Sequence, residues 1–349
     1  MKKVFTVLGG MAGSSMDGLD LALVRFQMER RQWRFELLKC ITVMYPESLF
    51  VWLKDAPKHT TKSQRKLDID FGHWIAIQVL DFIQRVDKPE ILAIHGHTLI
   101  HSPEKKISWQ LGSGKIIANH TGIITITDFR AKDIQLGGEG APLVPFGDFQ
   151  LFSDYEACLN LGGIANLSIR SSKIAGDICP CNQVLNYYSH QIGLPFDDSG
   201  KIAEKGKLNT DFLIQLGKLS FFKKSFPKSL PNHSIPYTLL DSVNPSTGLR
   251  SYSEFIAIQV CNSLRNIKAK NSKLLISGGG AFNSFLISLI QERLPKWNVT
   301  IPSNELVSFK EAIIFGFLGL MTHLDEVNVL STVTGASQDT SSGVIHLPK

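Results

Sequence analysis

The stretch Cys158–Asn182 has the sequence CLNLGGIANLSIRSSKIAGDICPCN. Apolar residues recur among small and polar ones, as in a β-strand, and Gly162-Gly163 interrupts this run. Two glycines between β-like segments predict a tight hairpin turn, because glycine adopts positive φ without steric cost. The chain then returns and presents one carboxylate, Asp177, at a turn that contains Pro180.

A glycine hairpin followed by an acid suits the handling of a phosphate-bearing substrate. Bare backbone N–H groups can approach anionic oxygens closely. The carboxylate of Asp177 can act as a base or hold a metal ion. The alternative is an ordinary hairpin with a solvated Asp.

A second stretch near the N-terminus repeats this pattern. It combines a strand (Val4–Leu8), a glycine-rich tip (Gly9, Gly10, Gly13), two acids (Asp17, Asp20) and a second strand (Leu21–Phe26). One such unit in each half of the chain is a weak internal repeat. It predicts a duplicated fold in which two facing glycine hairpins grip a polyphosphate from both sides.

The length of 349 residues suits two domains rather than one core. We predict an N-terminal lobe at 1–127, completed by about 325–349, and a C-terminal lobe at 128–324. The irregular segment Gln135–Phe152, dense in glycine and proline, is expected to cross between the domains.

Charge, cysteine content and hydrophobicity indicate which kinds of partner and which compartment to expect. A formal charge of +6 is spread along the chain without a basic arm, which favours small anionic ligands over nucleic acid. Five scattered cysteines predict reduced thiols of a cytoplasmic protein. The most apolar segment, Ala312–Met321, is too short to span a membrane, so we expect no membrane contact and a buried helix that Glu311 opens.

A third glycine-rich turn lies late in the chain. A strand at Leu274–Ser277 runs into Gly278-Gly279-Gly280, and a helix is expected over Phe282–Leu294. Glycines between a strand and a helix permit close approach of a nucleotide ring or phosphate. This turn is the predicted nucleotide seat.

The histidines offer a different chemistry. His95, His97 and His101 follow a short buried strand at Ile91–Ile94, and His-x-His is a known metal-ligand spacing. A metal-dependent hydrolase is therefore one alternative. The other is that these histidines donate hydrogen bonds at a strand end.

Several motifs together resemble those of anhydro-N-acetylmuramic acid kinases. They are GSSMDGLD (Gly13–Asp20), HGHT (His95–Thr98), DFRAKDIQLGGEGAPLVP (Asp128–Pro145), LNLGGIANLS (Leu159–Ser168), GGGAFN (Gly278–Asn283), Lys310-Glu311-Ala312 and STVTGAS (Ser331–Ser337). They occur in the family's order from Val7 to Gly343. The resemblance implies an α/β, two-lobed actin-like ATPase (duplicated ribonuclease H-like) fold with mixed sheets flanked by helices and a central cleft.

The resemblance also implies an activity and its residues. Members convert 1,6-anhydro-N-acetylmuramic acid, ATP and water to N-acetylmuramic acid 6-phosphate and ADP in cell-wall recycling. By resemblance Asp177 is the base. Asp17 is our candidate for holding hydrated Mg²⁺, which the transfer of a phosphoryl group needs. The residues implied to bind nucleotide are Gly13, Ser14, Ser15, Met16, Asp17, Gly18, Leu19, Asp20, Gly162, Gly163, Gly278, Gly279 and Gly280. Those implied to bind sugar are His97, Thr98, Arg130, Asn182 and Glu311. The family resemblance also suggests a homodimer.

Two segments depart from the family's pattern. Gly176–Asn182 keeps Asp, Pro and Asn but replaces a Thr and two Gly, and Pro227–His233 loses a Gly and a Glu. We expect Ile178, Cys179 and Cys181 to pack behind the loop as inert residues. Two further alternatives are a kinase of another anhydrosugar, such as levoglucosan, and an inactive sugar-binding member.

Overall fold

The structure is a computed structural model that describes residues 4–13, 16, 18–84, 86–230, 235–267 and 272–349. Its strands are β1 (Val4–Ala12), β2 (Leu19–Glu29), β3 (Gln32–Val43), β4 (Ile91–His95), β5 (His97–Ser102), β6 (Ile107–Leu111), β7 (Ile124–Thr127), β8 (Ala157–Leu161), β9 (Ile164–Ile169), β10 (Ile174–Pro180), β11 (Ser272–Ser277), β12 (Trp297–Thr300) and β13 (Val344–His346).

The helices alternate with these strands. They are α1 (Glu47–Asp55), α2 (Thr61–Ile83), α3 (Gly114–Thr121), α4 (Ala131–Gln135), α5 (Val144–Leu151), α6 (Asn182–His190), α7 (Lys201–Lys205), α8 (Thr210–Lys218), α9 (Ser220–Lys223), α10 (Tyr237–Leu240), α11 (Pro245–Leu264), α12 (Ser284–Arg293), α13 (Asn304–His323) and α14 (Ser331–Thr334). Short 3₁₀ turns lie at Ala56–Lys58, Pro103–Lys105, Asp198–Gly200 and Gly279–Phe282.

The chain forms two units, each with its own hydrophobic core. The first unit comprises the chain up to Phe152 together with Phe309–Lys349, and the second comprises Ser153–Ser308. These boundaries differ from the predicted ones at 127/128 and 324/325. The reason is that the segment after β7 and the larger part of α13 bury their side chains in the first unit.

Both units contain a mixed sheet, and five strands of each share one connectivity, to which the first sheet adds β13 at its edge. The first sheet has the order β13-β7-β4-β1-β2-β3 and the second has β10-β9-β8-β11-β12. In each, three antiparallel strands form a meander, and two further strands lie parallel to its first strand. Helices connect the parallel strands, as such connections require. The predicted duplicated ribonuclease H-like α/β fold is confirmed.

The structure confirms one of the two predicted glycine tips and corrects the other. Gly162-Gly163 joins β8 to β9, whose register pairs Asn160 with Asn166, so the predicted hairpin is confirmed. Neither glycine has the positive φ on which that prediction rested. The N-terminal prediction was wrong in part, because Gly9 and Gly10 lie inside β1 and pair with Ala22 and Leu21.

Helix α13 explains the glycine inside β1. A Cβ on Gly9 would lie 1.9 Å from the carbonyl oxygen of Ala312, and a Cβ on Gly316 would lie 3.4 Å from the Cα of Gly9. Further along, a Cβ on Gly319 would lie 2.3 Å from the Cβ of Ala93. Helix and sheet therefore approach so closely that Gly9 and Gly319 leave no room for a Cβ, whereas one on Gly316 would make an ordinary contact.

The apolar helix is a core element, as predicted, but its start was predicted wrongly. It begins at Asn304 rather than at Glu311, which lies inside it. By length and composition this helix could cross a membrane, yet 78% of its most apolar window is buried within the protein. Burial on all sides accounts for its hydrophobicity.

The predicted irregular crossover at Gln135–Phe152 also needs correction. Residues Val144–Leu151 form α5, with Pro145 in its first turn, where a missing N–H costs nothing. The segment belongs to the first unit, and the chain passes to the second unit only after Phe152.

Gly9→Ala tests the helix–sheet contact. We expect it to lower the free energy of unfolding by about 3 kcal/mol or more, because the backbone oxygen of Ala312 cannot move away from the new methyl group without shifting α13. The measurement is urea unfolding followed by circular dichroism.

Gly217→Ala is the matched control. Gly217 lies in α8, and a Cβ there would meet no atom within 4 Å. We expect this variant to gain about 0.5–1 kcal/mol through helix propensity. Equal stability of the two variants would show that the close approach at Gly9 does not constrain the fold.

Candidate active site

Arg130 is the centre of a buried polar cluster in the first unit. Its Nε donates to Nε2 of His95 at 3.1 Å, and its Nη1 donates to the carbonyl oxygen of Gly140 at 2.7 Å. Burial lowers the pKa of Arg130 to about 10, and the negative charge of Glu311 offsets part of that shift. The guanidinium therefore remains charged at neutral pH and is held in one orientation.

Glu311 supplies the opposing carboxylate from α13. Burial raises its pKa, and the cations Lys310 and Arg130 counteract this, whereas Asp20 and Asp148 add to it. Its neighbour Lys310 donates to Asp148 Oδ1 at 2.8 Å in a fully buried ion pair. Lys310 is thus paired with Asp148. The Glu311 carboxylate, by contrast, makes no hydrogen bond within the described residues.

The loop Leu136–Pro142 folds around the fully buried carboxylate of Asp133. Its Oδ2 accepts from the Gly140 N–H at 2.7 Å, and its Oδ1 accepts from the Thr334 hydroxyl at 2.7 Å. Gly138 passes so close that a Cβ there would lie 2.2 Å from Oδ2. Asp133 therefore fixes the carbonyl of Gly140 to which Arg130 donates.

His97 connects this region to the predicted phosphate loop. It is buried, and burial lowers its pKa, while the backbone of Gly13 offsets part of the effect. Its Nδ1 has no hydrogen-bond partner among the described residues. The structure thus brings His97 and Gly13 together, and Thr98 follows on β5, paired with Gln110.

The phosphate loop is described only in part. Ser14, Ser15 and Asp17 lie outside the described residues, so the predicted magnesium position stays a prediction. Met16 donates its N–H to the Gly13 carbonyl at 3.3 Å. Gly18 has φ +150°, and Leu19, at the start of β2, is fully buried and so can offer a ligand only its backbone. Asp20 Oδ1 accepts from the Thr42 hydroxyl at 2.6 Å.

The geometry of the three histidines disfavours a metal site. His95 faces the Arg130 cation and packs against the Phe315 ring at 4.5 Å, and burial lowers its pKa well below the ordinary value. His101 Nδ1 instead lies 3.3 Å from the Ser108 hydroxyl at an exposed position. Within the described ranges, His, Cys, Asp and Glu side chains form no group of three or more that could hold a metal ion.

Asp177 lies in β10 of the second unit and is held by the segment Lys228–Leu230. Its N–H donates to the Lys228 carbonyl at 2.7 Å, and its Oδ2 accepts from the Leu230 N–H at 2.9 Å. Burial raises the pKa of this carboxyl, and the Leu230 N–H offsets part of the rise. The other carboxylate oxygen makes no hydrogen bond in the described part of the chain, as a proton acceptor requires.

The residues that follow Asp177 point into the core. Ile178, Cys179 and Cys181 are completely buried, and a β-bulge lies between Asp177 and Cys179. Burial raises the pKa of Cys179 well above its ordinary value and that of Cys181 to about 12, so both remain neutral thiols. The Tyr252 hydroxyl donates to the Pro180 carbonyl at 2.8 Å and fixes the end of the strand.

The glycine turns of the second unit meet at one place. The Gly162 carbonyl accepts from the Asn182 N–H at 3.1 Å, and the Gly163 carbonyl accepts from Cys181 N–H at 2.7 Å. A Cβ on Gly278 would lie 2.4 Å from Asn160 Oδ1, and one on Gly280 would lie 2.7 Å from the Cβ of Leu161. The turn after β11 therefore lies directly against the β8–β9 hairpin.

Asn182 lies beside both glycine turns of the second unit. Its Nδ2 donates to the Leu161 carbonyl at 2.9 Å. Together with Gly279 and Gly280 it lines a pocket of about 470 Å³ within the second unit. Its role as a sugar ligand remains a prediction.

Some residues of the candidate site were not predicted from the sequence. They are Asp133, Leu230 and the pocket residues Asn186, Phe196 and Phe282. Asp133 could have been suspected, because an acid beside a Gly-Gly-x-Gly loop is a common anchor for backbone N–H groups. The Leu230 N–H could not have been suspected. No sequence pattern indicates which backbone donor, 53 residues away along the chain, binds Asp177.

Comparison with known proteins identifies relatives over nearly the whole chain. The family model "Anhydro-N-acetylmuramic acid kinase" matches residues 5–348. The anhydro-N-acetylmuramic acid kinase of Photobacterium profundum is 34% identical, covering 97% of this chain and 98% of the relative. That of Actinobacillus pleuropneumoniae is 33% identical over 97% and 98% of the two chains. A solved structure, the ROK hexokinase of Thermus thermophilus, covers 90% of this chain and 99% of its own at 11% identity, with a TM-score of 0.39.

The buried carboxyl groups provide a test of this site. We expect Asp177 and Glu311 to keep their protons to a higher pH than exposed acids do, because burial raises both pKa values. Asp198 serves as the internal comparison, since its contact with Lys201 lowers its pKa. The measurement is a carbon-13 NMR titration of the carboxyl resonances, assigned with Asp177→Asn and Glu311→Gln. Titration of all three groups together would contradict the burial described here.

Proposed function

Because this chain belongs to the anhydro-N-acetylmuramic acid kinase family, we propose that it opens the 1,6-anhydro ring of anhydro-N-acetylmuramic acid and phosphorylates O6. The products are N-acetylmuramic acid 6-phosphate and ADP. The family is one of sugar kinases, which confirms the predicted enzyme class. ATP use follows from the kinase class, whereas the sugar and the hydrolytic step are the proposal.

The observation that carries the proposal is the partly buried Asp177 carboxylate with one oxygen held and one oxygen free. In the proposed step Asp177 takes a proton from water, and the water oxygen forms a bond to C1 as the C1–O6 bond breaks. O6 then forms a bond to the γ-phosphorus, and ADP leaves. A second acid is not needed, because phosphoryl transfer takes the place of protonation at O6.

The proposal assigns the sugar contacts to His97, Thr98, Arg130 and Glu311. Arg130 is charged and oriented by His95 and Gly140, so it suits an anionic or carbonyl oxygen. The free Glu311 carboxylate suits a sugar hydroxyl, which donates a hydrogen bond to it. The lactyl carboxylate and N-acetyl group of the proposed sugar would provide such oxygens.

Magnesium is proposed at the Asp17 side chain, through water, as part of the ATP complex. Its chemical contribution would be to neutralise phosphate charge as it develops in the transition state. We further propose that the protein works in the cytoplasm as a homodimer, where ATP is available and its five free cysteines stay reduced.

A kinase of another anhydrosugar is not favoured by the altered loop. Ile178, Cys179 and Cys181 face the core rather than a ligand, so the replaced family residues change packing. An inactive binding protein is not favoured either, because Asp177 and Glu311 retain their free oxygens. The metal-dependent hydrolase lacks support because His95 is occupied by Arg130.

Asp177→Asn tests the base. The amide has the same shape but accepts no proton, so we expect turnover of anhydro-N-acetylmuramic acid to fall by at least two orders of magnitude. ADP affinity should be unchanged. Asp211→Asn, at an exposed acid in the first turn of α8, is the control and should be fully active. Near-normal turnover in Asp177→Asn would remove Asp177 from the mechanism.

The acid limb of the wild-type pH–rate profile is a related prediction. Asp177 must be deprotonated to act as a base, so the rate should rise with pH as the carboxyl loses its proton. Because burial raises the pKa of Asp177, this rise should lie at a higher pH than for an exposed Asp. A rate independent of pH across that range would contradict a carboxylate base.

Isotope labelling tests the hydrolytic step. In heavy-oxygen water, with ATP and Mg²⁺, we expect one labelled oxygen at C1 of the sugar phosphate and none in the phosphate group. Mass spectrometry of the product reports both positions. Label in inorganic phosphate without labelled sugar phosphate would mean that the chain hydrolyses ATP and does not open the anhydro ring.

A further inference from the structure

A cavity of about 710 Å³ lies in the second unit beside β10, the edge strand of its sheet. Its walls come from α8, the adjoining ends of β9 and β10, residues 222–228 and the second half of α11 with the residues after it. It shares no lining residue with the pocket at Gly279 and Gly280. Its volume lies in the range of small-molecule sites, so a small ligand could fill it.

The charged side chains that line this cavity are all basic. They are Lys224, Lys228 and Arg265, and within the described residues no carboxylate lines it. Lys224 and Arg265 are exposed, and their side chains make no hydrogen bond or ion pair with the described part of the chain. Cations around one cavity repel each other when no acid lies among them. An anion bound between them would replace that repulsion with attraction.

Lys228 is the most restrained of the three cations. Its Nζ donates to the carbonyl oxygens of Phe221 at 3.2 Å and Lys224 at 3.3 Å, and it lies 4.4 Å from the centre of the Phe221 ring. An ammonium group has three N–H bonds, so one remains for a ligand. Burial lowers the pKa of Lys228, because the ammonium has lost part of its hydration. A bound anion would compensate for that loss.

Gln259 adds a neutral polar group from α11. Its side chain is only 8% exposed, yet its carboxamide makes no hydrogen bond within the described residues. Its polar atoms are not among the fully enclosed unpaired atoms of the described chain, so they open onto the cavity that the residue lines. A buried carboxamide without a protein partner is unfavourable unless water or a ligand binds it.

Much of the remaining wall is apolar. The rings of Phe222 and Phe255 pack edge to face with their centres 4.8 Å apart, and both line the cavity. Ile174, Ile258 and Phe226 extend this apolar wall. An apolar wall next to three cations suits a ligand that carries both an anionic group and an organic part.

We propose that this cavity is a binding site for a small phosphate monoester, whose phosphate binds Lys224, Lys228 and Arg265 and whose organic part packs on the apolar wall. A phosphate monoester carries a charge of about −1.5 to −2 at pH 7, which matches several cations better than the single charge of a carboxylate does. Arginine binds phosphate oxygens through paired N–H donors, and the Gln259 NH₂ can donate to a further oxygen. This site lies beyond the proposed kinase reaction and does not depend on it.

The experiment uses phenyl phosphate as the probe, measured by isothermal titration calorimetry with saturating ADP, which keeps the probe away from the candidate nucleotide site. We expect one equivalent to bind. Its Kd should be at least about tenfold lower than that of inorganic phosphate, which lacks the organic part, and that of benzoate, which lacks the second charge. Equal affinity for benzoate would overturn the assignment of a phosphate, and equal affinity for inorganic phosphate would overturn the role of the apolar wall.

Substitutions at the cavity test where the probe binds. Lys224→Gln and Arg265→Gln each remove one exposed cation, so each should weaken phenyl phosphate at least about tenfold. Lys296→Gln, at an exposed lysine of the same unit outside the cavity, is the control and should match the wild type.

Gln259 has a signature of its own. Gln259→Glu keeps the shape and adds a negative charge beside the bound anion, so it should abolish binding of phenyl phosphate. Gln259→Leu has no charge and should weaken binding much less. If both variants bind phenyl phosphate as tightly as the wild type, Gln259 does not face the ligand and the proposed site is overturned.

The outcomes separate this inference from the proposed function. Unchanged affinity in both Lys224→Gln and Arg265→Gln would overturn the site, because the probe would then bind elsewhere. Failure of the wild type to bind phenyl phosphate at millimolar concentration would overturn it as well. Binding as expected in a chain that phosphorylates no anhydrosugar would support this site while the proposed reaction falls.

Discussion

The contact between helix α13 and strand β1 is the constraint on which the first unit depends. Gly9 and Gly316 bring the helix backbone against the central strand, and Gly319 does the same against β4. A sheet with larger side chains there would hold the helix farther away. Because Glu311 precedes Ala312 in this helix, the contact also sets how deeply its carboxylate is buried. Burial in turn raises the pKa of Glu311.

The buried charged groups of the first unit are paired with an opposite charge or with hydrogen-bond donors. Lys310 pairs with Asp148, and the Asp133 carboxylate is bound by the backbone N–H of Gly140 and the hydroxyl of Thr334. Removing one member of such a set leaves an uncompensated buried group, which costs more than the net contribution of the pair. Arg130 and Glu311 differ, because within the described residues the guanidinium retains donors and the carboxylate retains acceptors.

In the second unit, strand β10 carries both a carboxylate and residues of the hydrophobic core. Asp177 is held by the Lys228–Leu230 backbone, whereas Ile178, Cys179 and Cys181 fill the core. A β-bulge between Asp177 and Cys179 interrupts the alternation of the strand, so that the consecutive residues Ile178 and Cys179 both lie in the core. The chain can therefore differ from the family's pattern in this segment while Asp177 keeps its backbone support.

The sequence by itself determined strands such as β2, β4 and β11, the glycine hairpin at Gly162-Gly163 and the family, because these follow from periodicity and motifs read along the chain. It did not reveal that Gly9 is a packing residue, that α13 begins at Asn304, or that Asn182 lines a pocket with Gly279. Each of these depends on which distant segment lies opposite. The contact of the Leu230 N–H with Asp177 likewise exists only once the chain has folded. Which polar groups bind each other depends on which segments pack together in the folded chain, so only the tertiary structure decided these contacts.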